Sequence, residues 1–273
     1  MKPIQFVHLT DTHMNAPDTE GPFAKLQLAE KVKHVFGHIQ QSGLRPSFLL
    51  ITGDLSHEGN TADYAYIRKL LDEGSATIGA PIYVVLGNHD HRSPFREGYL
   101  GETASEEPYY YTHMIDGLRL IGLNSQVPGA HNGTIDDRQL AWLAEQLQAP
   151  APRGTIVAIH HPLLTISGMP GEHILTNSAA LSDALAGTDV IGIMAGHVHS
   201  NNVGTFRGIL SVAAAGTAFG GERADAEHFR MFDACSYNVV TVDQDGVAVS
   251  TVTIPTSNAE FFRFPLKALA EQH

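Results

Sequence analysis

One pattern constrains the fold of this chain more than any other: an apolar strand that ends in polar residues. Residues 83–86 are apolar, aromatic or β-branched, as in a strand buried in a parallel sheet, and Gly87-Asn88-His89-Asp90 follows directly. A single instance is typical of an ordinary turn. The pattern recurs at four other places: residues 4–9 before Asp11 and His13, 48–51 before Gly53 and Asp54, 155–159 before His160 and His161, and 190–195 before His197 and His199.

The five strand ends are expected to meet in space. Helical periodicity over residues 23–41, and from Thr61 to a stop at Gly74, separates the first three strands and predicts a βαβαβ half. In an open α/β sheet, ligands bind beyond the carboxyl ends of parallel strands. The polar residues at these ends should therefore point at one site.

The rest of the chain completes a second half. Asp116-Gly117 predicts a hairpin, helices are expected over residues 136–148 and 177–186, and the last third alternates as β-strands. The fold class predicted is α/β, as a four-layer αββα sandwich of two mixed β-sheets flanked by helices. Residues 91–107 lack clear periodicity and are expected to form a long loop beside the site.

Domain organisation is predicted from length. A chain of 273 residues can bury one large core, so residues 1–255 are expected to form one catalytic domain. Residues 256–273 are expected to be a C-terminal tail or cap, which could form an oligomer contact. The expected assembly is a homo-oligomer.

Composition excludes several classes of partner. Asp and Glu outnumber Lys and Arg by 29 to 17, and no basic tract could follow a nucleic-acid backbone, so no nucleic-acid polymer is expected as a partner. No membrane span or signal peptide is predicted. The single cysteine, Cys235, is predicted to be a packing residue and fits a reducing compartment, and a cytoplasmic location is expected.

The polar residues at the strand ends have the chemistry of metal ligands. Asp, Asn and neutral His suit Zn, Mn, Fe or Co, and no thiolate is present among them. The candidates are Asp11, His13, Asp54, Asn88, His160, His197 and His199. Seven are too many for one ion, so two divalent metal ions sharing Asp54 are predicted. Two such ions bring about four positive charges against two carboxylates, and that surplus suits a phosphate ester.

The five blocks in this order resemble the signature of the calcineurin-like metallophosphoesterases. The resemblance covers residues 4–254. Residues 114–119, 124–129 and 139–143 are further similar to the class III cyclic-nucleotide phosphodiesterases and their glycerophosphodiesterase relatives.

The resemblance implies a role for each block. Asp11, His13 and His199 would hold one ion, and Asn88, His160 and His197 the other, with Asp54 as the bridge between them. A hydroxide between the ions would attack phosphorus. Two residues are implied to be catalytic: His89, which would stabilise charge or protonate the leaving alkoxide, and Asp90, which would orient it. His161 would support the ligands from outside.

Other residues are further candidates for the site. Thr10, His91 and Leu163 depart from the commoner family pattern, and His91 is expected to be an exposed loop residue, with contact to the leaving group as the alternative. His8 is expected to be a hydrogen-bonded sheet residue, and His34 and His38 to lie on a helix surface. One or two loop residues are expected to line the pocket, from among His131, Asn132, His173, Phe219, Arg223 and His228.

The predicted function is hydrolysis of small phosphodiesters, either cyclic nucleotides or glycerophosphodiesters, by a binuclear metal-dependent phosphodiesterase. A phosphomonoesterase or nucleotide pyrophosphohydrolase on the same scaffold is the alternative. A non-catalytic scaffold protein is a third possibility, but all seven ligands and His89 are present.

Overall fold

A computed structural model describes residues 2–17, 23, 26–165 and 174–270 of the chain. The helices in this part of the chain are α1 (Leu28–Gln41), α2 (Thr61–Ile78), α3 (Arg92–Phe95), α4 (Asp137–Gln146), α5 (Ser178–Leu185) and α6 (Leu266–Ala270), with a π-helical turn over Arg96–Leu100. The strands are β1 (Ile4–Leu9), β2 (Phe48–Thr52), β3 (Ile82–Val85), β4 (Tyr111–Ile115), β5 (Leu118–Gly122), β6 (Thr155–Ala158), β7 (Val190–Ala195), β8 (Asn202–Phe206), β9 (Ile209–Ala213), β10 (Gly220–Arg223), β11 (His228–Phe232), β12 (Ser236–Val242), β13 (Val247–Thr253) and β14 (Glu260–Pro265).

Two large mixed sheets form the centre of the molecule. The first has five strands in the order β13-β12-β1-β2-β3, and the second has six in the order β4-β5-β6-β7-β9-β8. Strands β1, β2 and β3 run parallel to one another, as do β5, β6, β7 and β9. All five predicted strands that end in polar residues are present, and their carboxyl ends lie in these parallel regions.

Alternation along each strand assigns one set of side chains to the space between the sheets. Phe6 and Leu50 of the first sheet share a buried cluster with Ile156 and Met194 of the second. Because successive side chains point to opposite faces of a strand, the alternate residues face outward against helices. The outward residues of the first sheet pack against α1 and α2, and those of the second against α4 and α5. The predicted αββα sandwich is confirmed.

Helix α2 extends further than predicted. Gly74 was expected to end it, but the helix continues to Ile78 and ends at Gly79, which has a left-handed φ of 79°. At Gly74 the absence of a side chain serves packing, because a Cβ there would collide with the ring of Phe36 on α1. Helix α1 begins at Leu28, later than the predicted start at residue 23.

The segment predicted as a loop over residues 91–107 is partly helical. Helix α3 runs directly into the π-helical turn Arg96–Leu100, which ends at Gly101. Phe95 and Tyr99 are buried and their rings stack, with centroids 4.9 Å apart. Pro94 and Gly98 mask the helical pattern in the sequence, since both residues disfavour helix interiors.

A third sheet was not predicted. Strands β10, β11 and β14 form it in that order, so residues 260–265 of the segment expected to be a tail or cap contribute an edge strand. Ring contacts join Phe261 of β14 to Phe219, at a centroid distance of 5.5 Å. None of the helices in the described ranges has the length and apolar character needed to cross a bilayer.

Candidate metal centre

All seven predicted ligands converge where the two large sheets present their carboxyl ends. Asp11 and His13 follow β1, Asp54 follows β2, Asn88 follows β3, His160 follows β6, and His197 and His199 follow β7. Six of the seven belong to sets of three donors whose ligand atoms lie within 4.8 Å of one another, and the seventh, Asn88, contacts His160 at 3.0 Å. His13 and His199 are 186 residues apart in the sequence, yet their rings are in contact here.

One group of donors consists of Asp11, His13 and His199. The two imidazole Nε2 atoms are 3.3 Å apart, and Nε2 of His199 is 3.4 Å from Oδ1 of Asp11. Ligands held 2.0–2.2 Å from one tetrahedral ion are roughly 3.3–3.6 Å from each other. The third distance, from Nε2 of His13 to Oδ1 of Asp11, is longer at 4.0 Å, so two of the three distances match donors around one tetrahedral cation.

A second group consists of Asn88, His160 and His197. Oδ1 of Asn88 lies 3.0 Å from Nε2 of His160 and 2.9 Å from Nδ1 of His197. Asp54 stands between the two groups, because its Oδ2 is 3.6 Å from Nε2 of His13 and 3.5 Å from Nε2 of His160. A carboxylate so placed can hold two ions at once.

Besides the spacing of the donors, an unpaired oxygen of Asp11 is also consistent with a bound cation. Asp11 is fully buried, and its Oδ1 has no hydrogen-bond partner among the described residues, whereas Oδ2 accepts from Thr10 Oγ1 and from the His197 N–H. A buried carboxylate oxygen left without a donor is costly unless a charge or donor faces it. A divalent cation satisfies that requirement.

Hydrogen bonds outside the two groups orient the imidazoles. Nδ1 of His160 donates to the carbonyl of Thr52 at 2.7 Å, and Nδ1 of His199 donates to the carbonyl of Phe219 at 3.1 Å. These bonds leave Nε2 of each ring as the ligand atom. His161 contacts Ser125 Oγ and the carbonyl of His131 through its two ring nitrogens, and its ring lies close to the donors His160 and His197; its supporting role stays a prediction.

The backbone at the ligands is strained. Five of the seven have positive φ in the left-handed region, which non-glycine residues adopt at a cost on the order of 1–3 kcal/mol each. They are Asp11, His13, Asp54, His197 and His199. Strain of this kind persists where the surrounding structure imposes it, and here it turns each side chain towards the common centre.

The glycines of the sequence blocks make room for the ligands. A Cβ on Gly87 would collide with Oδ1 of Asp54, and a Cβ on Gly196 would collide with Thr10 and lie 2.7 Å from Oδ2 of Asp11. Neither glycine has positive φ, so space, and not backbone conformation, requires glycine at both positions.

Burial and mutual charge shift the pKa values of the ligands. Burial opposes ionisation of Asp54, but the nearby imidazoles of His160 and His89 hold the pKa of that carboxyl well below its usual range. Burial works against the protonated form of His160, yet Asp54 raises its pKa to about 9. Burial raises the pKa of Asp11 and lowers that of His13. A cation binding here would displace a proton from His160 at neutral pH.

Asp90 does not contact the ring that it was expected to orient. Its buried carboxylate accepts hydrogen bonds from the N–H groups of Leu55, Ser56 and Gly87 and from the hydroxyl of Tyr64, at 2.8–3.1 Å. Burial raises its pKa to about 6, with the charge of Asp54 adding to the effect. Asp90 therefore ties the loop after β2 to the loop after β3.

Asp90→Ala is predicted to destabilise the fold by on the order of 3 kcal/mol or more, because three buried N–H donors lose their partner. Urea unfolding at neutral pH measures this. Tyr64→Phe, which removes one of the four donors, should cost only about 1–2 kcal/mol. Equal losses from the two variants would contradict the assignment of Asp90 as the main tie between the loops.

The partner of the His89 ring is Glu58, which sequence reasoning missed. Nδ1 of His89 lies 2.9 Å from Oε1 of Glu58, and the His89 N–H donates to Oδ1 of Asp54. Burial lowers the pKa of His89, but Asp54 and Glu58 outweigh it and the net shift is upward. Glu58 follows Asp54 by only four residues, and this proximity was the one available signal.

A cavity of about 330 Å³ opens beside Asn88 and His89. Its other lining residues come mainly from the loop after β2 and from segments around α3 and residues 126–131: Glu58, His91, Arg92, Glu106, Gln126, Pro128, Gly129, Ala130 and His131. The guanidinium of Arg92 is held by Asn124, Gln126 and the carbonyl of Glu106. The segment 91–107 therefore does lie beside the site, as predicted.

Of the candidate loop residues, His131 lines this cavity and Phe219 stacks on His199. Arg223 and His228 instead hydrogen-bond at the Asp225–Ala226 turn. Asn132 adjoins His131 on the same loop, and His173 lies outside the described residues. His8 donates to or accepts from Thr52 Oγ1 at 2.9 Å and is the hydrogen-bonded sheet residue predicted, and His38 contacts the hydroxyl of Tyr237.

Phe219 is predicted to support metal binding. Its buried ring stacks on the ring of His199 at a centroid distance of 4.3 Å and on that of His13 at 5.1 Å. Phe219→Ala should weaken metal affinity roughly 10- to 100-fold, as other losses outside the ligand set do. Titration against a competing chelator measures the change. Phe264→Ala, in strand β14 of the third sheet and away from the ligands, should leave affinity unchanged; an equal loss would assign the effect to folding.

The chain is similar in sequence to three proteins named as phosphodiesterases. The chain is 40% identical over 214 residues to a probable cyclic nucleotide phosphodiesterase of Rhodococcus erythropolis, covering 78% of this chain and 70% of the relative. It is 42% identical to a cAMP/cGMP dual specificity phosphodiesterase of Mycobacterium tuberculosis, over 77% of this chain and 66% of the relative. A probable glycerophosphodiester phosphodiesterase of Arcobacter nitrofigilis is 26% identical, with 77% of each chain covered.

Solved structures share the fold. A dimetal phosphatase from Danio rerio superposes with a TM-score of 0.55 at 15% identity, covering 92% of this chain and 99% of that one. A purple acid phosphatase from yellow lupin gives 0.59 at 13% identity, covering 97% of this chain and 53% of that one. The model of the calcineurin-like phosphoesterase family matches residues 4–201 and confirms the resemblance inferred from the five blocks. The chain belongs to the calcineurin-like phosphoesterase family.

Proposed function

We propose that the protein is a binuclear metal-dependent phosphodiesterase that hydrolyses small phosphodiesters, with cyclic nucleotides as the leading substrate class. The observation that carries the proposal is the position of Asp54, whose Oδ2 lies 3.6 Å from a donor of one ligand group and 3.5 Å from a donor of the other. The names of the two relatives at 40% and 42% identity support the choice of cyclic nucleotides.

We infer that Asp11, His13 and His199 would hold one ion, that Asn88, His160 and His197 would hold the second, and that Asp54 would contact both. Bound divalent ions supply positive charge that polarises a phosphoryl group and lowers the pKa of water. Zn, Mn, Fe and Co all suit these oxygen and nitrogen donors, so the ligand set alone favours none of them.

The remaining residues act on the substrate. His89 lines the cavity next to Asn88, so its imidazole can stabilise charge on the phosphoryl group or give a proton to the departing oxygen. The new P–O bond forms to the oxygen of water, and the ester P–O bond breaks with its electron pair going to the leaving oxygen. The cavity, which Glu58, His91, Glu106 and His131 help to line, would hold the leaving group.

A substrate panel tests the proposal. Protein reconstituted with Mn²⁺ should hydrolyse bis(p-nitrophenyl) phosphate and cyclic AMP, and p-nitrophenyl phosphate much more slowly. Glycerophosphocholine is included because one relative is a probable glycerophosphodiester phosphodiesterase. No hydrolysis of any diester above that in metal-containing buffer would refute the proposal, and preference for the monoester or for a pyrophosphate would favour the alternative.

A cytoplasmic location and a homo-oligomeric assembly stay predictions from the sequence.

A further inference from the structure

One carboxylate at the cavity wall is shared by two imidazoles. Oε1 of Glu58 lies 2.9 Å from Nδ1 of His89, and Oε2 lies 2.9 Å from Nε2 of His91. The main chain adds a third link, because the N–H of Glu58 donates to the carbonyl of His89 at 3.1 Å. We call this arrangement of Glu58, His89 and His91 the imidazole clamp.

The fold holds both sides of the imidazole clamp in place. Glu58 has a left-handed φ of 54°, an uncommon conformation for a residue with a side chain, and this turns it towards the loop after β3. On the other side, the N–H of His91 donates to the hydroxyl of Tyr64 at 2.8 Å, and Tyr64 donates to Asp90. The positions of both backbones are therefore set independently of the clamp's side chains.

Stability does not account for the imidazole clamp. The side chain of Glu58 is 54% exposed and that of His91 is 47% exposed, and ion pairs in such surroundings contribute little to folding. The His89 side chain is only 22% exposed and lies in the cavity beside Asn88. The least exposed member of the clamp, His89, is thus the one that faces the proposed substrate.

We propose that Glu58 is a positioning residue for His89, with His91 holding the second oxygen of Glu58 in place. The inference rests on the proposed function. Because Nδ1 of His89 bonds to Glu58, Nε2 is the ring nitrogen left for the substrate. As the ester P–O bond breaks, its electron pair passes to the leaving oxygen, which takes the proton from Nε2 of the His89 imidazolium and leaves a neutral ring with its proton on Nδ1. The oxygen of water forms the new P–O bond, and its proton passes to solvent.

This role depends on the leaving group. A p-nitrophenolate leaves without a proton, whereas the alkoxide released from cyclic AMP needs one, and a positioned general acid contributes about 10²- to 10⁴-fold where it is needed. Glu58→Ala should therefore lower kcat on cyclic AMP roughly 10-fold or more and lower kcat on bis(p-nitrophenyl) phosphate much less. KM and metal content should change little for either substrate.

Matched variants separate positioning from general damage. Glu58→Gln keeps an oxygen that can accept from Nδ1 of His89 and should restore most of the activity on cyclic AMP. His91→Asn should have a smaller effect in the same direction as Glu58→Ala. Glu73→Ala is the control, since Glu73 is an exposed residue of α2 that does not line the cavity.

A spectroscopic measurement makes the test independent of turnover. In the Zn²⁺-loaded protein, the ¹⁵N shift of His89 Nδ1 should report a protonated nitrogen in the wild type and in Glu58→Gln, and a tautomer mixture in Glu58→Ala. An unchanged shift, or equal losses on the two substrates, would overturn the role of Glu58. If the wild type hydrolyses neither diester, the proposed function fails, and the shift alone then decides whether Glu58 fixes the ring.

Discussion

Asp54→Asn should release both metal ions and abolish hydrolysis. Among the described residues, Asp54 is the one carboxylate within 3.6 Å of donors in both ligand groups. Its neutral isostere should therefore weaken the binding of both ions. Metal ions contribute several kcal/mol to charge stabilisation in the transition state. Their loss should lower kcat on the order of 10³-fold or more, since each 1.36 kcal/mol is tenfold in rate. Elemental analysis of the purified variant and initial rates on bis(p-nitrophenyl) phosphate measure the two effects.

The control for Asp54→Asn is a largely buried carboxylate of the second large sheet, at the amino end of β7 and away from the ligands. Asp189 precedes β7 and accepts from the N–H of Ala151 and the hydroxyl of Thr155. Asp189→Asn should keep both ions and the activity. A variant of Asp54 that retains one ion fully, with the other lost, would show that Asp54 serves a single ion and is not the bridge.

The ligand groups could be predicted because their signal is local. Each apolar strand and the polar residue after it lie within ten residues, and the rule that parallel strands present their carboxyl ends together brings the ends into one place. The strand pattern predicts the set of seven ligands, whereas the assignment of His160 and His197 to the same ion came from the family resemblance. The same reasoning explains why the two large sheets and the helices α1, α2, α4 and α5 were anticipated.

The third sheet and α3 lacked such a signal. Strand β10 begins with Gly220 and Gly221 and ends with two exposed charged residues, a pattern that does not alternate as a half-buried strand does. Strand β14 pairs with β11, some 30 residues earlier, and only tertiary structure brings them together. Helix α3 contains Pro94, which is tolerated in the first turn of a helix but reads as a breaker in the sequence.

The partners of His89 and Asp90 could not be read from adjacency. Asp90 follows His89 directly, yet its carboxylate bends back to the N–H of Gly87 and to the loop after β2. That is ordinary turn chemistry for aspartate, so the turn interpretation of Gly-Asn-x-Asp holds for this residue. Glu58 reaches His89 only because of its left-handed backbone, which residue type does not predict.

His89→Asn is expected to lower kcat on cyclic AMP about 10²- to 10⁴-fold, the range for loss of a general acid or base, and kcat on bis(p-nitrophenyl) phosphate less, while both ions stay bound. His89 is separated from the ligand role by its contacts: its N–H donates to Asp54 and its Nδ1 to Glu58, and it belongs to none of the donor groups. Kinetics on cyclic AMP and bis(p-nitrophenyl) phosphate, together with elemental analysis, measure both quantities.

His160→Asn provides the contrast to His89→Asn. Because Nε2 of His160 lies 3.5 Å from Asp54 and 3.0 Å from Asn88, this variant should lose metal and activity together. If His89→Asn loses metal as His160→Asn does, His89 acts on the ions and not on the substrate. That result would contradict both the role proposed for His89 and the positioning role proposed for Glu58.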